Sequence, residues 1–235
     1  MLALLLALLL TVGGALATYI YDEGSSLAAR LCTGACIGLA AFGLIGFVLA
    51  SLLGLSPLSI VLATLLTSAP FGLLLDPVYR DQIQSDLALT SQKIRQAIAG
   101  PSATDVGYFL YYIVAAILFW FIFDRAMIMK PDGIYTGVLN NFGDLPFHLS
   151  VITGFAYGQN YPPEDPTFAG VRFTYPFLTD FISAVFLRCG ASLRNSLLIE
   201  NVLLAVAFVG VLHRWGWEML RDRAAALLTP LLVLL

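Results

Sequence analysis

The sequence predicts an all-α fold, a polytopic transmembrane helix bundle of about seven spans with one long polar loop carrying a helix on the membrane surface. Three observations predict it. Hydrophobic residues make up 59% of the 235 and charged residues only 11%, against about 25% charged in a soluble domain. The mean hydropathy is +0.87. Several apolar runs approach roughly twenty residues, enough for a helix to cross about 30 Å of hydrocarbon. The runs do not alternate between apolar and polar residues, as a transmembrane barrel requires, and a helix satisfies its own backbone in lipid.

The formal net charge is −3. No basic stripe is present, so nothing points to a nucleic-acid partner; the partner that composition implies is membrane lipid. Cys32, Cys36 and Cys189 sit in or beside apolar segments. Cys32 and Cys36 share a helix face, but no His or Asp accompanies them at metal-ligand spacing, which predicts membrane packing.

The chain reads as a single transmembrane domain over 1–235. The first span is expected at 2–20. Ala15-Leu16-Ala17 fits a signal-peptide cleavage site, but no Lys or Arg precedes the apolar core, which favours a membrane helix. After a polar break, 31–53 forms the second span. Its Gly34 and Gly38 lie one turn apart, spacing that lets helix backbones approach closely. Gly54-Leu55-Ser56-Pro57 is a turn, and a third span runs over 58–76. Residues 78–104 are polar, with Ile83, Leu87, Ile94 and Ile98 spaced as an amphipathic helix for the membrane surface. The fourth span, 106–127, is rich in aromatic residues. Further spans are expected at 173–189, 194–213 and 222–235. The last is still apolar at Leu235, which predicts more spans beyond it.

Charge bias does not orient the bundle. Placing Arg30, the 78–104 segment and the 189–193 turn on one side leaves the basic residues evenly divided, so the positive-inside rule is silent. Long loops count little in that rule, which tilts the 128–172 loop toward the outside.

That loop concentrates the chemistry. Within it, Leu145, Leu149, Ile152 and Ala156 make one apolar stripe, predicting a helix on the membrane over 144–157. Asp144 and His148, four apart, face one direction on it. The stretch Tyr161-Pro162-Pro163-Glu164-Asp165-Pro166-Thr167-Phe168-Ala169-Gly170 cannot be regular helix; it runs extended, with a turn at Asp165-Pro166. The chain returns to the membrane through Phe173-Thr174-Tyr175-Pro176.

These loop residues, from about 130 to 180, resemble the GT-C superfamily of membrane glycosyltransferases, and most of all the "YYY" group of bacterial and archaeal membrane proteins. That group carries an Asp before a loop helix, a Pro-Pro-x-Asp-Pro-x-Phe-Ala-Gly stretch and an aromatic return. Here Asp144, Pro162 to Gly170, and Tyr175 fill those places. The resemblance implies a GT-C-like fold of which this chain is the N-terminal part, in a bacterial or archaeal cytoplasmic membrane with the loop outside. It implies transfer of a sugar from a polyprenyl-phosphate-linked donor to an acceptor at the outer face, with Asp144 as the catalytic carboxylate.

Each role has a plainer alternative. Asp144 serves as general base, holds a divalent metal ion with His148, or simply caps the loop helix. His148 pairs with Asp144 or is amphipathic filling. Glu164 and Asp165 contact the substrate or belong to a solvated turn. Arg172 and Tyr175 are candidates for the donor side, because a guanidinium matches phosphate oxygens; an interface anchor is the alternative for Arg172. Asp180 and Glu200 fall inside spans, where a carboxylate costs about 3 kcal/mol at mid-helix on insertion scales, so each must face the bundle or a wet cavity, pairing with an Arg or lining a lipid-phosphate groove; a protonated structural carboxyl near a helix end is the alternative. Asp180 and Glu200 would be the working parts of a transporter or flippase, the alternative reading. A non-catalytic membrane scaffold is a third.

Overall fold

The computed structural model describes residues 1–138 and 141–234, and 76% of it is helical. Asn140 of the loop and the apolar end at Leu235 lie outside the described residues. The helices are α1 (Leu2–Ala17), α2 (Leu27–Leu53), α3 (Pro57–Thr67), α4 (Pro77–Ala99), α5 (Ala103–Ala126), α6 (Asp144–Ala156), α7 (Leu178–Arg188), α8 (Leu193–Leu220) and α9 (Arg223–Leu234). Single 3-10 segments at Thr18–Ile20 and Ala69–Leu75 extend α1 and α3.

Among the described residues, four helices are long and apolar enough to cross a membrane: Leu2–Ile20, Leu27–Leu53, Ala103–Ala126 and Leu193–Leu220. Pro57–Thr67 and Ala69–Leu75 make a fifth if that pair, bent by 41°, is one crossing. The expected span at 173–189 contains only the 11-residue α7. At 1.5 Å per residue such a helix covers about 16 Å, half the hydrocarbon thickness. Residues 173–177 stay outside it because Pro176 removes a backbone donor and disfavours helix at the residue before it.

Glycines fix the first helix pair. α1 and α2 run antiparallel with Gly14 against Gly34 and Leu10 against Gly38, so close that a Cβ on any of these three glycines would overlap backbone of the facing helix. Another face of α2 meets α7, where Gly43 lies against Leu178 and Ile182, and Gly46 against Phe181. Cys32 packs against Gly210 of α8, the packing role its surroundings predict.

Ser and Asp side chains start the helices as their positions suggest. Ser26, Ser56, Ser102 and Ser192 cap α2, α3, α5 and α8, and Ser56–Ser59 and Ser102–Asp105 complete capping boxes. Asp76 caps α4. That helix has no buried residue and carries Leu87, Ile94 and Ile98 exposed. Asp86 anchors it, accepting from Tyr19 Oη at 2.9 Å and from Arg30 Nε at 3.3 Å.

α5 and α8 are antiparallel: Asp124 pairs with Arg194 at one end and Tyr112 with His213 toward the other. The first of these pairs corrects the expected sidedness. Arg194 meets the Asp124 that closes α5, so the 189–193 turn lies at the loop end and not beside α4. The reason is the short α7, which does not carry the chain across.

The loop departs from all-α structure in a two-stranded antiparallel hairpin of β1 (Ile128–Lys130) and β2 (Gly133–Tyr135). Its turn, Pro131-Asp132, receives a hydrogen bond from Tyr135 Oη to the Asp132 carboxylate at 2.8 Å. An aromatic seam then fastens the loop to the bundle. Phe47 of α2 meets Phe155 of α6, Tyr161, Phe177 and Phe181 of α7 with ring centroids 4.8–6.3 Å apart. Gln159 pins the same corner, accepting from Leu55 N at 3.0 Å.

Candidate functional site

α6 lies over α7 with Leu145, Ile152, Phe155 and Ala156 buried. Leu149, expected on that stripe, is only half-buried, and Val151 is buried in addition. The helix therefore aims His148 down at α7, one turn in from its start. His148 Nδ1 lies 2.9 and 3.0 Å from the two carboxylate oxygens of Asp180. An ionised carboxylate only accepts, so Nδ1 carries the proton and Nε2 is the ring atom left for other chemistry. Asp180 is 3% exposed. The hydrogen bond to Asp180 raises the His148 pKa above its ordinary 6.5, burial opposing and the charges of Asp180 and Asp144 assisting.

Beneath this pair is a cavity of about 320 Å³ between α5, α6, α7 and α8. Its polar lining includes His148, Asp180, Ser183, Arg194, Glu200 and Asn201; Ile122, Phe123, Leu145, Leu197 and Leu198 line its apolar side. Ser183 Oγ donates to Glu200 Oε2 at 2.5 Å, and Glu200 is 1% exposed. Asp180 and Ser183 are three apart on α7, so they share a face. Both carboxylates thus avoid lipid by turning to the bundle and its cavity.

The remaining expectations divide. Asp144 is exposed, does not line this cavity, and is the first helical residue; Gly143 is the N-cap and no side chain caps the helix. The expected cap is therefore not formed, because the chain enters α6 in an already helical conformation at Gly143. His148 pairs with Asp180 and not with Asp144. Among the described residues no three His, Cys, Asp or Glu side chains are placed to hold a metal ion, so Asp144 and His148 gain no third ligand.

Glu164 and Arg172 form an isolated antiparallel bridge and line a separate recess of about 550 Å³ with Phe47, Phe173 and Phe177. The Glu164 carboxylate accepts from Gly170 N at 3.1 Å, and Asp165 Oδ1 accepts from Thr167 N at 2.8 Å. Both acids hold the hook of the Pro-rich stretch, and the Thr167 hydroxyl keeps the Asp165 carboxyl below its usual range. Arg172 is exposed. Tyr175 stands between the two hollows, its ring 5.8 Å from His148 and 6.3 Å from Phe173.

No protein-family model, curated protein or solved structure matches this chain.

Two polar features were not legible in the sequence. One is the Arg194–Asp124 pair in the cavity wall, whose members are 70 residues apart. The other is a larger cavity of about 840 Å³ at the opposite end of α5 and α8. Its principal polar groups already have partners: Arg214 Nη1 and Nη2 reach Asp22 at 2.5 and 2.8 Å, and Tyr112 meets His213. The smaller cavity is the better candidate despite its size, because it gathers two buried carboxylates and an oriented imidazole. The only sequence signal for it was the cost of leaving Asp180 and Glu200 in lipid.

Proposed function

We propose that this chain is part of a membrane-embedded transferase of the GT-C type, moving a sugar from a polyprenyl-phosphate-linked donor to an acceptor hydroxyl at the membrane face where the loop lies. The His148–Asp180 pair at the cavity carries the reading. A carboxylate that fixes the Nδ1–H tautomer leaves Nε2 as a base, the arrangement that general-base catalysis needs. As the acceptor oxygen attacks the anomeric carbon, its proton passes to His148 Nε2 and the donor's phosphate departs with the bonding pair. Arg194 in the cavity wall and Arg172 in the neighbouring recess are the cations for that phosphate. His148 and Asp180 thus replace Asp144 as the favoured machinery.

The orientation in this proposal has its own support. Arg30, Arg80, Lys93, Arg95, Arg214, Arg221 and Arg223 gather at the α4 end. Arg125, Lys130, Arg172, Arg188 and Arg194 gather at the loop end. The bias puts α4 inside and the loop outside.

The test is transfer from a labelled short-chain polyprenyl-phosphate sugar panel by the purified chain in liposomes. His148→Ala should lower the rate by about 10²–10⁴, the usual worth of a positioned base, and Asp144→Asn should leave it near wild type. Full activity in His148→Ala refutes the assignment. A second reading, transport of a lipid-linked substrate, draws on Asp180 and Glu200 meeting around Ser183. It predicts that Glu200→Gln stops movement across the bilayer while His148→Ala does not.

A further inference from the structure

One acid at the cavity keeps an oxygen without a hydrogen-bond partner among the described residues. Asp180 is taken by His148, and Asp124 by Arg194. Glu200 remains. Its Oε2 accepts from Ser183, while its Oε1 is buried with no hydrogen-bond partner among the described residues. A buried acceptor left in that condition calls for a donor. The donors that could come to it are limited by their surroundings. With no three metal-ligating side chains together among the described residues, a divalent ion lacks its usual ligand set. The cavity, at about 320 Å³, is also far roomier than a bare ion needs and falls at the small end of ligand sites, about 300–1,000 Å³. Ile122, Phe123, Leu145 and Leu197 give it an apolar side.

We propose that this cavity binds a primary ammonium group carried on a short apolar body. The ammonium donates to Glu200 Oε1, with the Asp180 carboxylate and the free lone pair of Ser183 Oγ as further acceptors on the same face. A primary ammonium has three donors and no acceptor, which suits an oxygen that lacks a donor beside two further acceptors. The apolar body lies against the side formed by α5, α6 and α8. The same chemistry is presented by a free alkylamine and by an aminophospholipid headgroup. Binding rests on Glu200 and does not require His148 to act as a base.

The experiment is calorimetric titration of the full chain, in phosphatidylcholine nanodiscs at neutral pH, with n-butylammonium and with 1-butanol. Saturable binding of the amine is expected, weaker by roughly tenfold or more for the alcohol and for Glu200→Gln, since a charge-assisted bond is lost in each. Ser183→Ala should weaken it too, and decides the matter if Glu200→Gln does not fold. His148→Ala, which frees the Asp180 carboxylate, should not weaken it. Nanodiscs containing phosphatidylethanolamine separate the sources. Competition there assigns the headgroup, and no competition assigns a free amine; both outcomes support the site. Absence of saturable binding, equal binding of the alcohol, or unchanged affinity in Glu200→Gln or Ser183→Ala overturns the proposal. Binding without sugar transfer would sink the transferase reading alone, and transfer without binding would sink this inference alone.

Discussion

At residue scale, the behaviour of the site follows from one imidazole held by one buried carboxylate. The His148 pKa is raised above 6.5 chiefly by its hydrogen bond to Asp180. A group whose folded pKa exceeds its unfolded value stabilises the fold fully below the unfolded value, and the contribution fades as pH rises through the folded value. The pair therefore adds stability below about pH 6.5 and loses it on the alkaline side. A base works in its neutral form, so transfer shows the opposite slope. Its acid limb should lie above pH 6.5 in wild type and move down in Asp180→Asn, which a pH–rate profile measures directly. Asp144, His148, Asp180 and Glu200 were all legible as candidates, because polar residues in an apolar chain are conspicuous. Their partners were not. Spacing of four suggested Asp144 with His148, yet α6 packs with His148 toward α7, and a contact across 32 residues has no local signature. Glu164 and Asp165 take the turn role for a physical reason: acids in a Pro-rich turn are recruited by the nearest backbone N–H groups.

At the scale of elements, close backbone approach and aromatic packing position the cavity. Gly38 sits against the backbone of Leu10, which cannot move aside as a flexible side chain would. Gly38→Leu should destabilise the bundle by at least the ~1–3 kcal/mol of ordinary overpacking, whereas Gly107→Ala, with open space around its Cβ, should be nearly neutral. Thermal unfolding in one detergent compares them. Phe181 is 0% exposed and joins α7 to Phe47 and Phe155. Phe181→Ala should cost about 3–5 kcal/mol and loosen the loop corner, seen as faster proteolysis between Gln159 and Phe173. The glycine contacts of α2 were readable because small residues at helical spacing have one common use in membranes. The aromatic seam was not, since Phe47, Phe155 and Phe181 are ordinary apolar residues until the chain brings them together. The hairpin at 128–135 was missed because two three-residue strands are too short for a periodic signal.

For the whole molecule, the helical membrane character was legible, because composition and run length act on every residue at once. The number of crossings was not. Hydropathy counts the apolar run around α7 as a span, while Pro176 before it and the positive-φ Gly190 after it hold that segment at 11 helical residues. With α7 confined to the loop end, the basic residues lean toward the α4 end, and the proposed orientation rests on that lean. Single cysteines test it in a background lacking the native ones: Asp132→Cys in the hairpin turn should react with a membrane-impermeant maleimide added outside right-side-out vesicles, and Lys93→Cys on α4 should react only after permeabilisation. The reverse pattern would invert the bundle.

The proposed chemistry depends most on Asp180 holding His148 by its Nδ1–H. The chain has two histidines, His148 and His213, so imidazole-labelled protein gives two resonances to follow by NMR against pH, with and without Asp180→Asn. One histidine should titrate above 6.5 in wild type and fall when Asp180 loses its charge. If neither resonance responds to Asp180→Asn, the pair does not exist in the membrane and the proposed chemistry has no base.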